Sequence, residues 1–219
     1  MKNSGRRSCL KRLAVAGLLG TAGFDGLFRM ALANAGKPVV PGVQKLKGTV
    51  LINGRPASEG MLVGSGDTVM TGANSEVVYV INQDAFLQRE NTAVSFSGAV
   101  ADVMRVLTGK ILSVFGKGPK KLQTVTATIG IRGTGCYIEA EENRVYFCLC
   151  YGVADVIPVA DPSRVERIET RHHEHPVYLY RDSAMPMMVS APVINHTDAE
   201  LELLESLVGR WPPFSKGYY

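Results

Sequence analysis

The chain predicts an all-β fold, a roll or sandwich, with a short C-terminal helix. Three observations carry this. From Val43 to Val159, short β-branched apolar runs recur between glycines at about 8–12-residue spacing, with no helical period between them. The run Lys47 to Ile52 ends at Asn53-Gly54, a strong tight-turn signal. A clear helical period begins only at Thr197.

After Asn53-Gly54, strands are expected at Glu76 to Asn82, Ala85 to Arg89, Ala93 to Ser97, Val103 to Leu107 and Lys110 to Phe115. Past the Gly116–Pro119 turn come Leu122 to Thr128, Gly135 to Ala140, Val145 to Tyr151 and Val153 to Pro158. Asp161 to Thr170 is charged and mixed, Val177 to Arg181 reads as one more strand, and Ser183 to Pro192 as a Met- and Pro-containing loop. The helix opens on a Thr197/Glu200 capping box with Asp198 in its first turn. Leu201, Leu204, Leu207 and Val208 form its apolar face, and Gly209 with Pro212-Pro213 ends it.

Turn chemistry recurs inside the β region. Gly66-Asp67 and Thr71-Gly72 read as turns, because glycine tolerates positive φ and aspartate bonds its own backbone. Gly133, within Arg132-Gly133-Thr134, reads as a place where strands approach closely. With Gly48-Thr49-Val50, Gly109-Lys110-Ile111-Leu112 and Tyr151-Gly152-Val153-Ala154, these pieces in this order resemble a FecR-type domain over residues 43–160. The resemblance implies a periplasmic binding or sensing module. It speaks to architecture more than to activity. It leaves the tail unexplained, so three parts are expected: residues 1–35, a β domain over 36–160, and an extension over 161–219.

The first 35 residues read as an export signal. A basic head holds Arg6, Arg7 and Lys11, an apolar run of about 12 residues follows, and Ala33-Asn34-Ala35 offers a small-residue cleavage site. The run is well short of the roughly 20 residues a spanning helix needs. Arg6-Arg7-Ser8-Cys9-Leu10-Lys11 resembles the twin-arginine export motif, with Arg6, Arg7, Leu10 and Lys11 in the matching places. That resemblance implies folding in the cytoplasm, then export to the periplasm. No membrane span is expected after cleavage.

Charge narrows the function. The whole chain is +4, but residues 1–35 hold six basic residues against one acidic, so the remainder is −1. Nucleic-acid binding is therefore not expected, and the basic cluster Lys117, Lys120 and Lys121 reads as a solvated turn. No G-x-S-x-G, phosphate loop or HExxH is present, so an enzyme is not expected.

Cys136, Cys148 and Cys150 lie after the export segment, and Arg171-His172-His173-Glu174-His175 holds three of the four histidines. A hairpin is expected to turn near Glu141 to Asn143. A three-residue loop would set Cys136 opposite Cys148 or Cys150, in reach of a cross-strand disulfide. A two-residue loop would set it opposite Leu149, in the core with Ile138 and Phe147. Three readings stay open: buried structural thiols, one disulfide, or a metal or redox site. For the last, Cys148 and Cys150 share a strand face, and His173 and His175 would share one if extended. Two thiolates and two imidazoles suit zinc, and the thioethers of Met185, Met187 and Met188 would suit copper. His196, just before the capping box, reads first as a local contact at the helix start. The functional expectation is a secreted, non-enzymatic binding or scaffold module of the cell envelope, with an envelope protein as partner. The alternative is a periplasmic metal-binding or thiol-redox protein using Cys148, Cys150 and the His172–His175 cluster.

Overall fold

The computed structural model describes residues 39–181 and 186–215. The export motif Arg6, Arg7, Leu10 and Lys11, and Met185, lie outside the described residues. Within them the fold is all-β with one C-terminal helix.

Two sheets share two long strands. The first runs β15-β14-β12-β11-β8-β6-β5-β1, and every pair in it is antiparallel. Its strands are Gly42–Lys47 (β1), Glu76–Ile81 (β5), Asp84–Gln88 (β6), Val103–Val114 (β8), Gly135–Ala140 (β11), Arg144–Pro158 (β12), Val177–Tyr180 (β14) and Met188–Ser190 (β15). The second runs β3-β2-β4-β7-β8-β9-β10-β12-β13. It adds Val50–Ile52 (β2), Arg55–Pro56 (β3), Thr68–Thr71 (β4), Ala93–Ser97 (β7), Pro119–Gln123 (β9), Ala127–Arg132 (β10) and Glu166–Thr170 (β13).

The strands expected as separate at Val103 to Leu107 and Lys110 to Phe115 are one strand, β8, and those flanking Gly152 are one strand, β12. A glycine marks each transfer between sheets. Gly109 has φ +87° and Gly152 has φ +103°. A Cβ on Gly152 would lie 2.5 Å from the Thr134 Cγ2, and one on Gly109 2.5 Å from the Thr92 Cα. Each bend thus needs both positive φ and the missing side chain. Gly133 plays a different part from the one expected: its φ is +58°, but an added Cβ would meet nothing closer than 3.9 Å, so it turns the chain between β10 and β11.

Gly66-Asp67 is a turn whose carboxylate accepts from the Gly64 N–H (2.8 Å) and the Asn53 amide (2.6 Å). The Thr71 hydroxyl accepts from the Thr92 N–H, and the Gly72 N–H donates to the Thr49 carbonyl. Lys120 and Lys121 sit on β9 rather than in a solvated turn, and Lys120 pairs with buried Asp84 at 2.8 Å.

The first sheet is buried on both faces. Tyr79, Phe86, Ile111, Cys136, Ile138, Phe147 and Leu149 point inward, to the core between the sheets. Val78, Val80, Leu87, Leu112, Val114, Tyr137, Tyr146, Cys148 and Cys150 point outward, into a second apolar layer. Burial on both sides explains why these strands read as continuous apolar runs. The outer layer is covered by helix α1, Asp198–Leu207, through Leu201, Leu204 and Val208, with Ile194 and Phe214 beside it. The capping box is present, with Thr197 as N-cap and Glu200 reaching back to its N–H at 2.9 Å. Residues after 160 continue the same sheets: β13 and β14 pair with β12, and β15 pairs with β14.

Candidate metal centre

Alternation along β12 sets Cys148 and Cys150 on the outer face of the first sheet, both fully buried. Cys136 stands opposite Leu149 and therefore faces inward, between the sheets. Of the three open readings, the disulfide from Cys136 to Cys148 or Cys150 is not the one the structure takes: the sulfurs lie on opposite sides of the sheet, and all three thiols are free, as the Leu149 register implied. Burial pushes the Cys136 thiol far above its ordinary range.

After β13 the chain bends sharply over residues 171–173. The Glu174 carboxylate accepts from the N–H groups of Arg171 (2.7 Å) and His172 (2.8 Å). His173 has φ +59°, and its N–H donates to the Cys150 carbonyl at 3.0 Å. This bend breaks the extended geometry that would have aligned His173 with His175. His173 turns in over the cysteines; His175 is exposed and is not part of the cluster. Its expected place is taken by His196. That buried ring stacks on Tyr137, with centroids 4.7 Å apart.

Cys148, Cys150, His173 and His196 bring one ligand atom each to within 4.8 Å of one another. Cys148 Sγ is 3.4 Å from His173 Nδ1, and His173 Nδ1 is 3.1 Å from His196 Nε2. Tetrahedral zinc, with bonds of about 2.0–2.1 Å to nitrogen and about 2.3 Å to sulfur, sets ligand atoms roughly 3.3–3.8 Å apart. The Cys148–His173 and His173–His196 separations are close to that size, and all four ligand atoms lie within 4.8 Å of one another. Of the three methionines read as copper-favouring, Met188 packs against the inner core, on the other face of the sheet, so its thioether is not at this site.

Both rings have their outer nitrogens committed. His173 Nε2 donates to the Asp198 carboxylate at 3.1 Å, and Asp198 also accepts from His172. His196 Nδ1 donates to the Ile194 carbonyl at 2.6 Å. A carboxylate and a carbonyl can only accept. The two inward nitrogens, His173 Nδ1 and His196 Nε2, stand 3.1 Å apart: a proton on His173 joins them in one hydrogen bond, and a metal ion beside them would take both lone pairs. Metal-bound histidines carry this same outer support from a carboxylate or a carbonyl.

The two sulfurs are pushed in opposite directions. The Cys150 thiol, then His173 and His196, hold the Cys148 thiol well below its ordinary range against the opposing pull of burial. Burial, then the neighbouring Cys148, pushes Cys150 up. For His173, burial pulls down, but hydrogen bonding and charge from Cys148, then Asp198, outweigh it and raise the ring.

Cys148, His173 and Asp198 also follow the order of a nucleophile, base and orienting carboxylate. Yet Cys148 is 0% exposed. A nucleophilic sulfur must meet its electrophile, so this burial favours an enclosed ligand.

Sequence reasoning missed His196, Asp198 and Tyr137 as parts of the cluster. The signal was a count: with two cysteines on one strand face and four histidines in the chain, every histidine was a candidate.

No protein-family model matches the chain, and no curated protein matches it. Among solved structures, two crystal structures of a "putative anti-sigma factor" from Parabacteroides distasonis, at 1.65 and 2.50 Å resolution, are similar to it with TM-scores of 0.47 and 0.46. Each is 11% identical, over 56% of this chain and 59% of that protein's chain.

Proposed function

We propose that this protein is an exported, non-enzymatic metal-binding β domain. It holds one zinc-class divalent ion through Cys148 Sγ, Cys150 Sγ, His173 Nδ1 and His196 Nε2. The observation that carries this reading is the pair of inward imidazole nitrogens, 3.1 Å apart, with both outer nitrogens donating elsewhere. Two thiolates would neutralise a divalent charge inside a buried layer. Four protein ligands leave no open position, as in structural zinc sites. The reading includes residence in the periplasm with an envelope protein as partner, supported by the leader's likeness to twin-arginine signals and the FecR-like motifs. Export of a folded protein would allow the ion to be chosen in the cytoplasm.

The test is metal analysis of the mature protein purified without a histidine tag, followed by titration with zinc and with cobalt(II). One ion per chain is expected, with cobalt giving the absorption of a tetrahedral sulfur–nitrogen site. Cys148→Ser and His196→Ala should abolish tight binding, and His175→Ala should not. Protein that carries no metal, and binds neither ion at micromolar concentration, overturns the proposal.

A further inference from the structure

The ligands come from three separate stretches of chain. Cys148 and Cys150 lie on β12, His173 follows β13, and His196 precedes α1. Three successive residues at the helix start then do three different things. His196 offers a nitrogen to the cluster, Thr197 is the N-cap, and Asp198 accepts from His173 Nε2. The beginning of α1 is built into the centre.

The helix has 10 residues, too few to persist alone. It persists by packing Leu201, Leu204 and Val208 over the outer face of the first sheet, beside Val80, Leu87, Leu112 and Val114. Its far end is held separately: Glu205 pairs with Arg210 at 2.6 Å and accepts from the Tyr151 hydroxyl. Its near end is held by Arg89, which reaches Glu200 at 2.8 Å and the Asn195 carbonyl at 2.9 Å, and by the cluster. An ion held jointly by β12, the bend after β13 and His196 ties the near end to the sheet. Without it, that end keeps only the Arg89 contacts and the cap.

We propose that ion occupancy controls the docking of α1. Loading closes the helix over the outer apolar face, and loss of the ion loosens it from its N-terminal end and opens that face. This rests on the metal-centre reading and adds a regulatory consequence to it. The coupling is local, because the ligands touch the outer layer of one sheet, while β7 lies in the other sheet.

Amide hydrogen exchange on the mature full-length protein, with and without zinc, tests it. At zinc about 100 times its dissociation constant, the linkage ceiling is roughly a hundredfold change in protection. A loss of tenfold or more on chelation is expected for amides 199–208, with β7 amides changing far less. An apolar dye that fluoresces on binding exposed hydrophobic surface should report the uncovered face only in the chelated protein. His196→Ala should leave α1 amides weakly protected even in zinc, with β7 amides protected as in the parent. Zinc binding with unchanged α1 protection overturns the coupling and leaves the metal centre standing. An equal loss across α1 and β7 also overturns it, because the ion then stabilises the whole fold without gating the helix. Failure to bind zinc overturns both.

Discussion

Cys136 stands directly opposite Leu149 across the β11–β12 ladder. That register fixes the fate of three cysteines, because side chains alternate faces along a strand. Cys136 joins the core between the sheets, while Cys148 and Cys150 join the outer layer. Denatured, unreduced protein cleaved after Ala35 should therefore titrate three free thiols in the presence of a chelator. A count of one would restore the disulfide. Cys136→Ala should cost about 1–2 kcal/mol in urea unfolding, the loss of one buried heavy group plus its cavity. It should leave ion stoichiometry unchanged.

Gly152→Ala should be among the most damaging single changes. Its Cβ would strike Thr134 at 2.5 Å, and φ is +103°. Backbone strain of about 1–3 kcal/mol and overpacking of about 1–3 kcal/mol act together. Gly54→Ala is the control: φ is +76°, but nothing lies within 4 Å of an added Cβ. Thermal or urea unfolding should rank Gly152→Ala well below Gly54→Ala, and equal stability would contradict the crossing-point role.

Most strands were legible because half-buried or doubly buried runs announce themselves through β-branched and aromatic residues. Ala93–Ser97 and Gly135–Ala140 match their expected bounds. Gly109 and Gly152 misled, since a glycine in a strand looks like its end, whereas here it carries the strand from one sheet to the other. Lys47 to Ile52 divides at Gly48 between two sheets for a related reason. β13 was missed because Glu166, Arg167 and Glu169 dilute an edge strand whose inward residues are only Ile168 and Thr170. The candidate site was half legible. Strand parity placed Cys148 with Cys150, but the positive φ of His173 destroys parity in the histidine tract. His196 arrives from a segment far along the chain, and nothing local marks it.

Glu76 should give stability an acid-side slope. Burial raises its carboxyl above the ordinary 4.5, outweighing the opposing pull of Arg89, and Glu200 raises it further. The folded state then keeps this proton to higher pH than the unfolded chain. Its stabilising contribution is full below 4.5 and is lost as pH rises through the raised folded-state value. Urea midpoints measured upward from pH 4.5 should fall more steeply for the parent than for Glu76→Gln. Parallel profiles would show that Glu76 does not titrate this way.

Arg6 and Arg7 should carry targeting. Changing both to lysine keeps the charge, but a pathway that reads arginine specifically should stop exporting the protein. Cell fractionation decides it: undiminished periplasmic accumulation of the double variant removes the twin-arginine assignment.

The last prediction joins the cap to the ion. The Thr197 hydroxyl accepts from the Glu200 N–H, and Thr197→Ala should weaken α1 by about 1 kcal/mol. Thr197 touches no ion, so a merely local cap would leave zinc affinity alone. If α1 and the centre form together, linkage is reciprocal, and a looser helix must bind the ion less well. The ceiling is the full cap energy, about a fivefold loss of zinc affinity, with His175→Ala unchanged as the control. Leu204→Ala, which removes a fully buried contact on the same helix, should cost about 2–5 kcal/mol in helix docking and shift zinc affinity further in the same direction. Competition titrations with a chromophoric chelator measure each shift. Helix variants that lose protection in α1 yet bind zinc as the parent does would separate the two events.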